Sequence, residues 1–121
     1  MIKAEKSKQY DLEERTLVFA KKIRALMKKL TKTLANIEDG KQLIKASGSV
    51  GANYIEANES LSKKDFLLRI KVCRKEAKES RYWLKLIDTE GNQILESERQ
   101  DLEREAGELT SIFGSILSKS V

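Results

Sequence analysis

Apolar side chains recur every three or four residues along most of the chain, the spacing that places them on one face of an α-helix. In the first stretch this face comprises Leu12, Phe19, Ile23, Leu26, Leu30 and Leu34. Thr16 fills the gap in the series, and Asp11 with Glu14 forms a capping-box-like pair at its start. We predict a first helix from Asp11 to about Leu34, because residues 35–40 then break the pattern with turn-forming residues.

Helical spacing returns in a second segment, which ends near Ala57 and is poor in long side chains. Its inward face comprises Leu43, Ser47, Val50, Tyr54 and Ile55. Gly48 and Gly51 lie inside this segment, where a glycine costs a helix roughly 1 kcal/mol relative to alanine. We therefore predict that a neighbouring helix approaches these glycines closely.

Two further helices follow the second. The third is predicted to begin at Ser62, an N-cap with an acidic residue three positions later, and to end at Gly91. Its core-facing positions alternate four and three residues apart, the period of a shallow-angle bundle, and are Phe66, Ile70, Cys73, Ala77, Ser80, Leu84 and Ile87. The fourth helix is predicted to begin at the capping box of Ser97, and its face comprises Leu102, Ala106, Leu109, Phe113, Ile116 and Leu117.

Four amphipathic helices joined by short links predict an all-α protein with the antiparallel up-and-down four-helix bundle fold. The chain has no proline, 40% hydrophobic residues and 36% charged residues, which suits helices with a narrow apolar face and a charged outer face. No alternating run rich in valine, isoleucine and threonine indicates a strand. We expect one domain over residues 11–121, preceded by a flexible N-terminus of residues 1–10.

The composition argues against enzymatic and metal chemistry. Histidine, the commonest general base and metal ligand, is absent, and Cys73 is the only cysteine. Ser47 to Gly51 resembles part of a nucleophile elbow but lacks its Gly-x-Ser-x-Gly order. We therefore expect no catalytic residue, no metal and no cofactor, and we expect Cys73 to be a small buried side chain.

Cysteine content and hydropathy also predict the cellular compartment of the protein. A single cysteine cannot form an intramolecular disulfide, which suits a reducing compartment. The first residues lack the apolar stretch of a signal peptide, and no window approaches the roughly 18 apolar residues of a membrane span. The protein is predicted to be cytoplasmic, with no membrane partner.

Basic and acidic residues are segregated along the chain, although the net charge is only +5. Segments 1–35 and 62–91 are basic, whereas segments 36–61 and 92–121 are acidic. On the third helix five basic residues each follow an apolar position, and they form what we call the basic stripe: Lys71, Arg74, Lys78, Arg81 and Lys85. Together with Lys21 and Lys28 of the first helix, these are the candidate nucleic-acid-binding residues.

A basic stripe has two interpretations. It binds the phosphate backbone of a nucleic acid, or it is a solvated face that pairs with acidic residues. An obvious internal partner is the acidic set on the fourth helix, Glu96, Glu98, Asp101, Glu103, Glu105 and Glu108.

Several motifs resemble those of a known bacterial family. They are Asp11–Ala20, Ser49–Ala57, the segment from Ser62 to Phe66, and a long helix carrying Glu76, Glu79 and Tyr82–Leu84. Together they resemble the 23S rRNA intervening-sequence proteins, also called the four-helix bundle protein family. The resemblance covers most of the chain.

The resemblance implies a bundle that assembles as a homopentamer, with some members encoded inside insertions in 23S rRNA genes. A related branch comprises accessory proteins of diversity-generating retroelements, which bind a reverse transcriptase and nucleic acid. The family has no known catalytic residues. Three of the matched positions share one helical face, and we call them the polar seam: Ser49, Asn53 and Glu56. Such a seam is a ligand contact or, as we expect, a polar network that fixes register or assembly.

The leading hypothesis is a non-catalytic homo-oligomer that acts as an accessory factor for RNA or DNA, with a reverse transcriptase as a possible protein partner. The alternative is a structural or protein-binding scaffold with no nucleic-acid role.

Overall fold

A computed structural model describes the backbone of residues 2–120 and the side chains of residues 12–120. It contains four helices and, within those residues, no strand: α1 (Ile2–Lys29), α2 (Leu34–Asn58), α3 (Lys63–Leu86) and α4 (Gln93–Ser120). Each helix packs against its two neighbours in the order α1, α2, α3, α4 and back to α1, and among the described residues no Cα atoms of diagonally opposite helices lie within 8 Å of each other. The all-α fold with four antiparallel helices is confirmed.

The core lies along the axis of the bundle and follows the predicted helical faces closely. On α3, five positions from Ile70 to Leu84 and the capping residue Ile87 are buried. Phe113 of α4 is fully buried and packs on Tyr54 of α2, with ring centroids 5.9 Å apart. Two predicted core residues are wrong, because Leu34 is 80% exposed and Ile55 is 52% exposed.

The predicted boundaries need correction at all four helices. Helix α1 begins at Ile2 rather than Asp11 and ends at Lys29, so Leu34 belongs to α2. Helix α3 is capped by Ser62 as predicted but ends at Leu86, before the left-handed Gly91. The flexibility predicted for residues 1–10 stays a prediction, since Met1 and the side chains before Leu12 lie outside the described residues.

The start of α4 moves from Ser97 to Gln93 because another side chain caps the helix. Asn92 Oδ1 accepts hydrogen bonds from the backbone N–H groups of Ile94 and Leu95, both at 3.1 Å. This side chain satisfies two of the four N–H groups that a helix leaves unpaired at its start. The capping-box sequence at Ser97 therefore lies inside the helix.

The segment predicted to be a turn before α2, residues 35–40, instead belongs to the first two turns of this helix. Thr33 caps this helix, with its Oγ1 accepting from the N–H of Asn36 at 3.1 Å. Asn36 is buried and its amide joins the two loops at this end of the bundle. Its Nδ2 donates to the carbonyls of Thr31 at 3.1 Å and Asp88 at 2.9 Å, and its Oδ1 accepts from the N–H of Asp88 at 2.9 Å.

A neighbouring helix was predicted to pack closely against Gly48 and Gly51 of α2, and α1 does so at one of these two glycines. A Cβ added to Gly51 would lie 2.8 Å from Oγ1 of Thr16, so any side chain there would collide with α1. Gly40 likewise faces the side chain of Met27. At Gly48 the nearest atom to an added Cβ is Nη2 of Arg24, at 3.4 Å, so the predicted close approach is confirmed at Gly51 but not at Gly48.

Cys73 is fully buried, as predicted, and burial raises the pKa of its thiol to about 12. The reactive thiolate is therefore scarce at neutral pH, and the sulfur is out of reach of reagents. We expect the folded protein to resist iodoacetamide and the urea-unfolded protein to react at the rate of a free thiol, as followed by mass spectrometry. Rapid modification of the folded protein would contradict the buried position.

The loop between α3 and α4 is held by a carboxylate that should make stability depend on pH. Glu96 accepts from Arg99 Nε at 2.8 Å and Nη2 at 2.7 Å, and from Thr89 Oγ1 at 2.9 Å. These bonds, those of Arg99 first, lower the pKa of Glu96 from 4.5 to about 2. Because the folded pKa is depressed, the stabilisation is fully present above the unfolded value of 4.5 and is lost as the pH falls toward 2.

The variant Glu96→Gln tests this dependence. We expect it to be less stable than wild type near pH 7 and the difference to shrink by about pH 3, measured by urea unfolding. Glu79→Gln is the control, since this exposed carboxylate makes no side-chain hydrogen bond with the described residues. A difference that stays constant with pH would mean that the charge of Glu96 does not stabilise the loop.

Candidate nucleic-acid interface

The basic stripe of α3 is open to solvent along its whole length. Lys71, Arg74, Lys78, Arg81 and Lys85 are all exposed. Among the described residues, none of the five forms an ion pair, since the ion pairs of the bundle involve other basic residues. Residues three and four apart on a helix are neighbours, so the stripe is a continuous row of positive charge.

The acidic residues of α4 do not neutralise this row. Glu105 and Glu108 bind Arg15 of α1, at 2.7 and 3.1 Å, and Glu98 binds Lys29 of α1 at 2.9 Å. The remaining acids pair within α4 itself, Glu96 and Glu103 with Arg99 and Asp101 with Arg104. The interpretation in which α4 is the internal partner of the basic stripe is therefore wrong for the single chain.

The ion pairs between α1 and α4 also set the local electrostatics. Arg15 donates from Nε and Nη2 to the two carboxylate oxygens of Glu105, at 2.7 and 2.8 Å. These bonds raise the pKa of Arg15 above its ordinary value. Glu98, Glu105 and Glu108 of α4 thus bind basic residues of α1. None of the described carboxylates of α4 forms an ion pair with the basic stripe of α3.

The two α1 residues of the predicted interface lie elsewhere on the molecule. Lys21 and Lys28 are exposed, and Lys21 lines a groove between α1 and α2. Because α1 and α3 occupy diagonal positions, no Cα atoms of their described residues lie within 8 Å of each other. The structure of one chain therefore does not bring Lys21 and Lys28 together with the basic stripe.

The polar seam of α2 contributes one link between helices. Asn53 Nδ2 donates to the carbonyl of Ser49 at 2.8 Å, and its Oδ1 accepts from Nη1 of Arg69 on α3 at 3.0 Å. Glu56 is exposed, and its carboxylate takes part in none of the hydrogen bonds between described side chains. The seam is a network around Asn53, and a role in assembly stays a prediction.

Sequence reasoning missed the residues of α4 that face the stripe. Gly107 and Gly114 lie beside the guanidinium groups of Arg81 and Arg74, respectively. A signal was present, because two glycines seven residues apart inside a predicted helix match two arginines seven residues apart on its neighbour. These pairs define a groove between α3 and α4.

A second surface feature is apolar. Leu17 of α1 and Ile55 of α2 are 48% and 52% exposed, and both line the groove between these helices. The small residues Ala20, Gly48 and Ala52 line the same groove and make it shallow. Adjacent exposed apolar side chains of this kind are typical of protein contact surfaces.

The described part of the chain has neither a metal-binding cluster nor a membrane-crossing helix. Among residues 12–120, no three His, Cys, Asp or Glu side chains converge in a way that could hold a metal ion. None of the helices, over their described length, combines the length and apolarity that a membrane crossing requires.

Comparison with known proteins matches this chain to a family and to a solved structure. The model of a family described as 23S rRNA-intervening sequence protein matches residues 8–115. A crystal structure of a protein of unknown function, from the S23 ribosomal protein family of Bacteroides thetaiotaomicron, is 28% identical and superposes with a TM-score of 0.78. The match covers 92% of this chain and 98% of that one. No curated protein matches the sequence.

Proposed function

The chain belongs to the 23S rRNA-intervening sequence protein family, and from this premise we propose that it is a non-catalytic, homo-oligomeric accessory protein that binds RNA or DNA. The observation that carries the proposal is the basic stripe of α3, which is exposed and has no ion-pair partner among the described residues. Charged side chains on a folded surface commonly pair with neighbours, yet the ion pairs of the α4 carboxylates are all with basic residues outside this row.

The electrostatics of the stripe suit a polyanion. Lysine and arginine side chains spaced three and four residues apart displace condensed counterions from a phosphate backbone. This release of counterions supplies most of the affinity of non-specific nucleic-acid binding. The five residues of the stripe are lysines and arginines, and none of them is an aromatic residue on which a base could stack. The proposed binding therefore has little dependence on base sequence.

An oligomer would strengthen such binding. The exposed side chains of Leu17 and Ile55 support self-association, because apolar groups of this size in one groove favour burial against a second protein surface. The proposed assembly is the homopentamer implied by family resemblance, in the cytoplasm. Repeated basic stripes in a ring would contact one nucleic-acid strand several times, which raises the overall affinity without any new type of contact.

The test is a titration of fluorescently labelled single-stranded RNA and duplex DNA with the wild-type protein. We expect a Kd tighter than about 100 µM at low salt and a steep loss of affinity between about 50 and 200 mM salt. Light scattering after size exclusion gives the oligomer mass on the same samples. Absence of binding within that range would refute the nucleic-acid role.

A protein-binding scaffold is the second candidate, favoured by the apolar groove of Leu17 and Ile55. A reverse transcriptase is one such partner that the family resemblance suggests. If wild type forms the oligomer but binds neither RNA nor DNA, this second function replaces the first.

A further inference from the structure

Two arginines of the basic stripe lie over glycines of α4. A Cβ added to Gly107 would lie 3.5 Å from Nη1 of Arg81, and a Cβ added to Gly114 would lie 3.8 Å from Nε of Arg74. Both distances are ordinary van der Waals contacts, so alanine would fit at either position. The two pairs have the same seven-residue spacing on both helices, as expected for antiparallel neighbours.

The fold does not require these glycines. Gly51 is required, because an added Cβ would lie 2.8 Å from Thr16 Oγ1, but no such obstacle exists at Gly107 or Gly114. Glycine disfavours a helix interior more than any residue except proline, so both glycines weaken α4 without improving its packing. Residues that lower stability in this way are common where a function needs close approach to the backbone.

The surface of α4 beside these glycines carries one carboxylate, that of Glu103 four residues before Gly107, and it is bound by Arg99 at 2.9 Å. The exposed positions that continue their spacing of three and four residues carry neutral or basic side chains, namely Gln100, Arg104, Ser111 and Ser118. The described carboxylates of α4 pair with Arg15, Lys29, Arg99 or Arg104 instead. The groove therefore has a basic wall from α3 and a low, polar wall from α4.

We propose that this groove between α3 and α4 seats one nucleic-acid strand, with phosphates bound by the guanidinium groups of Arg74 and Arg81. The inference rests on the proposed function and specifies where and how the strand lies. A guanidinium presents several N–H donors in one plane, which fits the oxygens of a phosphate. Because Gly107 and Gly114 carry no side chains, the guanidinium groups of Arg81 and Arg74 lie low over α4. A strand bound on them comes within reach of Ser111 and Ser118, whose hydroxyls donate hydrogen bonds to its backbone.

The variant Gly107→Gln/Gly114→Gln tests the groove without changing the charge. Glutamine favours a helix, so we expect a higher melting temperature, together with an affinity for labelled single-stranded RNA that falls about fivefold or more because the groove is filled. Ala35→Gln is the control, since Ala35 is exposed on α2 and is not among the residues that line the groove between α1 and α2. We expect this control to bind like wild type.

A second variant keeps the test informative if the glutamines disturb the helix. Arg74→Lys/Arg81→Lys keeps the charge but removes the planar donors, and we expect about threefold weaker binding or more. If wild type binds RNA but both double variants bind within about twofold of it, the groove is wrong and the proposed function stands. If wild type does not bind at all, both fall.

Discussion

Replacing Arg74 and Lys78 with glutamate is expected to abolish most nucleic-acid binding. The double variant reverses the charge in the middle of an exposed row that has no acidic partner among the described residues. For duplex DNA, the slope of log Kd against log salt falls by about 0.9 for every phosphate that the protein no longer binds, so binding two fewer phosphates should flatten it visibly. At about 50 mM salt the affinity should fall at least tenfold, as measured by fluorescence anisotropy.

The matched control is Lys21→Glu/Lys28→Glu, which changes the net charge by the same amount on α1. We expect a smaller reduction in affinity, because these lysines lie away from the stripe in a single chain. Equal reductions in the two variants would show that net charge alone governs binding. The helical content of both variants should be unchanged in circular dichroism, since all four positions are exposed.

The largest effect on stability is expected at Asn36. This residue is 2% exposed, and its amide makes three hydrogen bonds to backbone groups of Thr31 and Asp88. In Asn36→Ala the N–H and carbonyl of Asp88 and the carbonyl of Thr31 lose their partner, at about 1–3 kcal/mol for each group that stays unsatisfied. We expect the free energy of unfolding to fall by about 3 kcal/mol or more, measured by urea denaturation.

Asn58→Ala serves as the comparison. Asn58 also bonds across to another helix, but its partner is the exposed Glu13, at 3.0 Å. Water can replace that bond, so the change should stay within about 0.5 kcal/mol. A decrease of under about 1 kcal/mol in Asn36→Ala would show that water reaches the loops and takes over the role of the amide.

The sequence predicts the fold well where the signal is local. Helix α3 has a regular core-facing period and a serine cap, and both the cap and the buried face from Ile70 to Ile87 agree with the structure. The prediction around Leu34 is wrong because the structure there depends on distant contacts. Asn36 bonds to Asp88, more than fifty positions away, and Gly40 faces Met27. Without knowledge of these distant partners, the turn-forming residues of this segment predict a loop.

The candidate site was predictable only in part. The spacing of the basic stripe indicates one face of α3, and its exposure agrees with that pattern. The apolar pattern does not determine whether the helices turn left or right around the bundle axis. That handedness decides whether the acidic edge of α4 meets α3 or α1, so Glu105 could not be assigned to Arg15 from sequence.

The antiparallel order has a practical consequence for immobilising the molecule. Leu12 of α1 and Lys119 of α4 line one cavity at the end of the bundle opposite to the Asn36 loops. A linker attached near either position would therefore tether the protein by the same end and leave the other end untouched. On a sensor surface the bundle would stand upright, with its full length accessible from the side to a dissolved oligonucleotide.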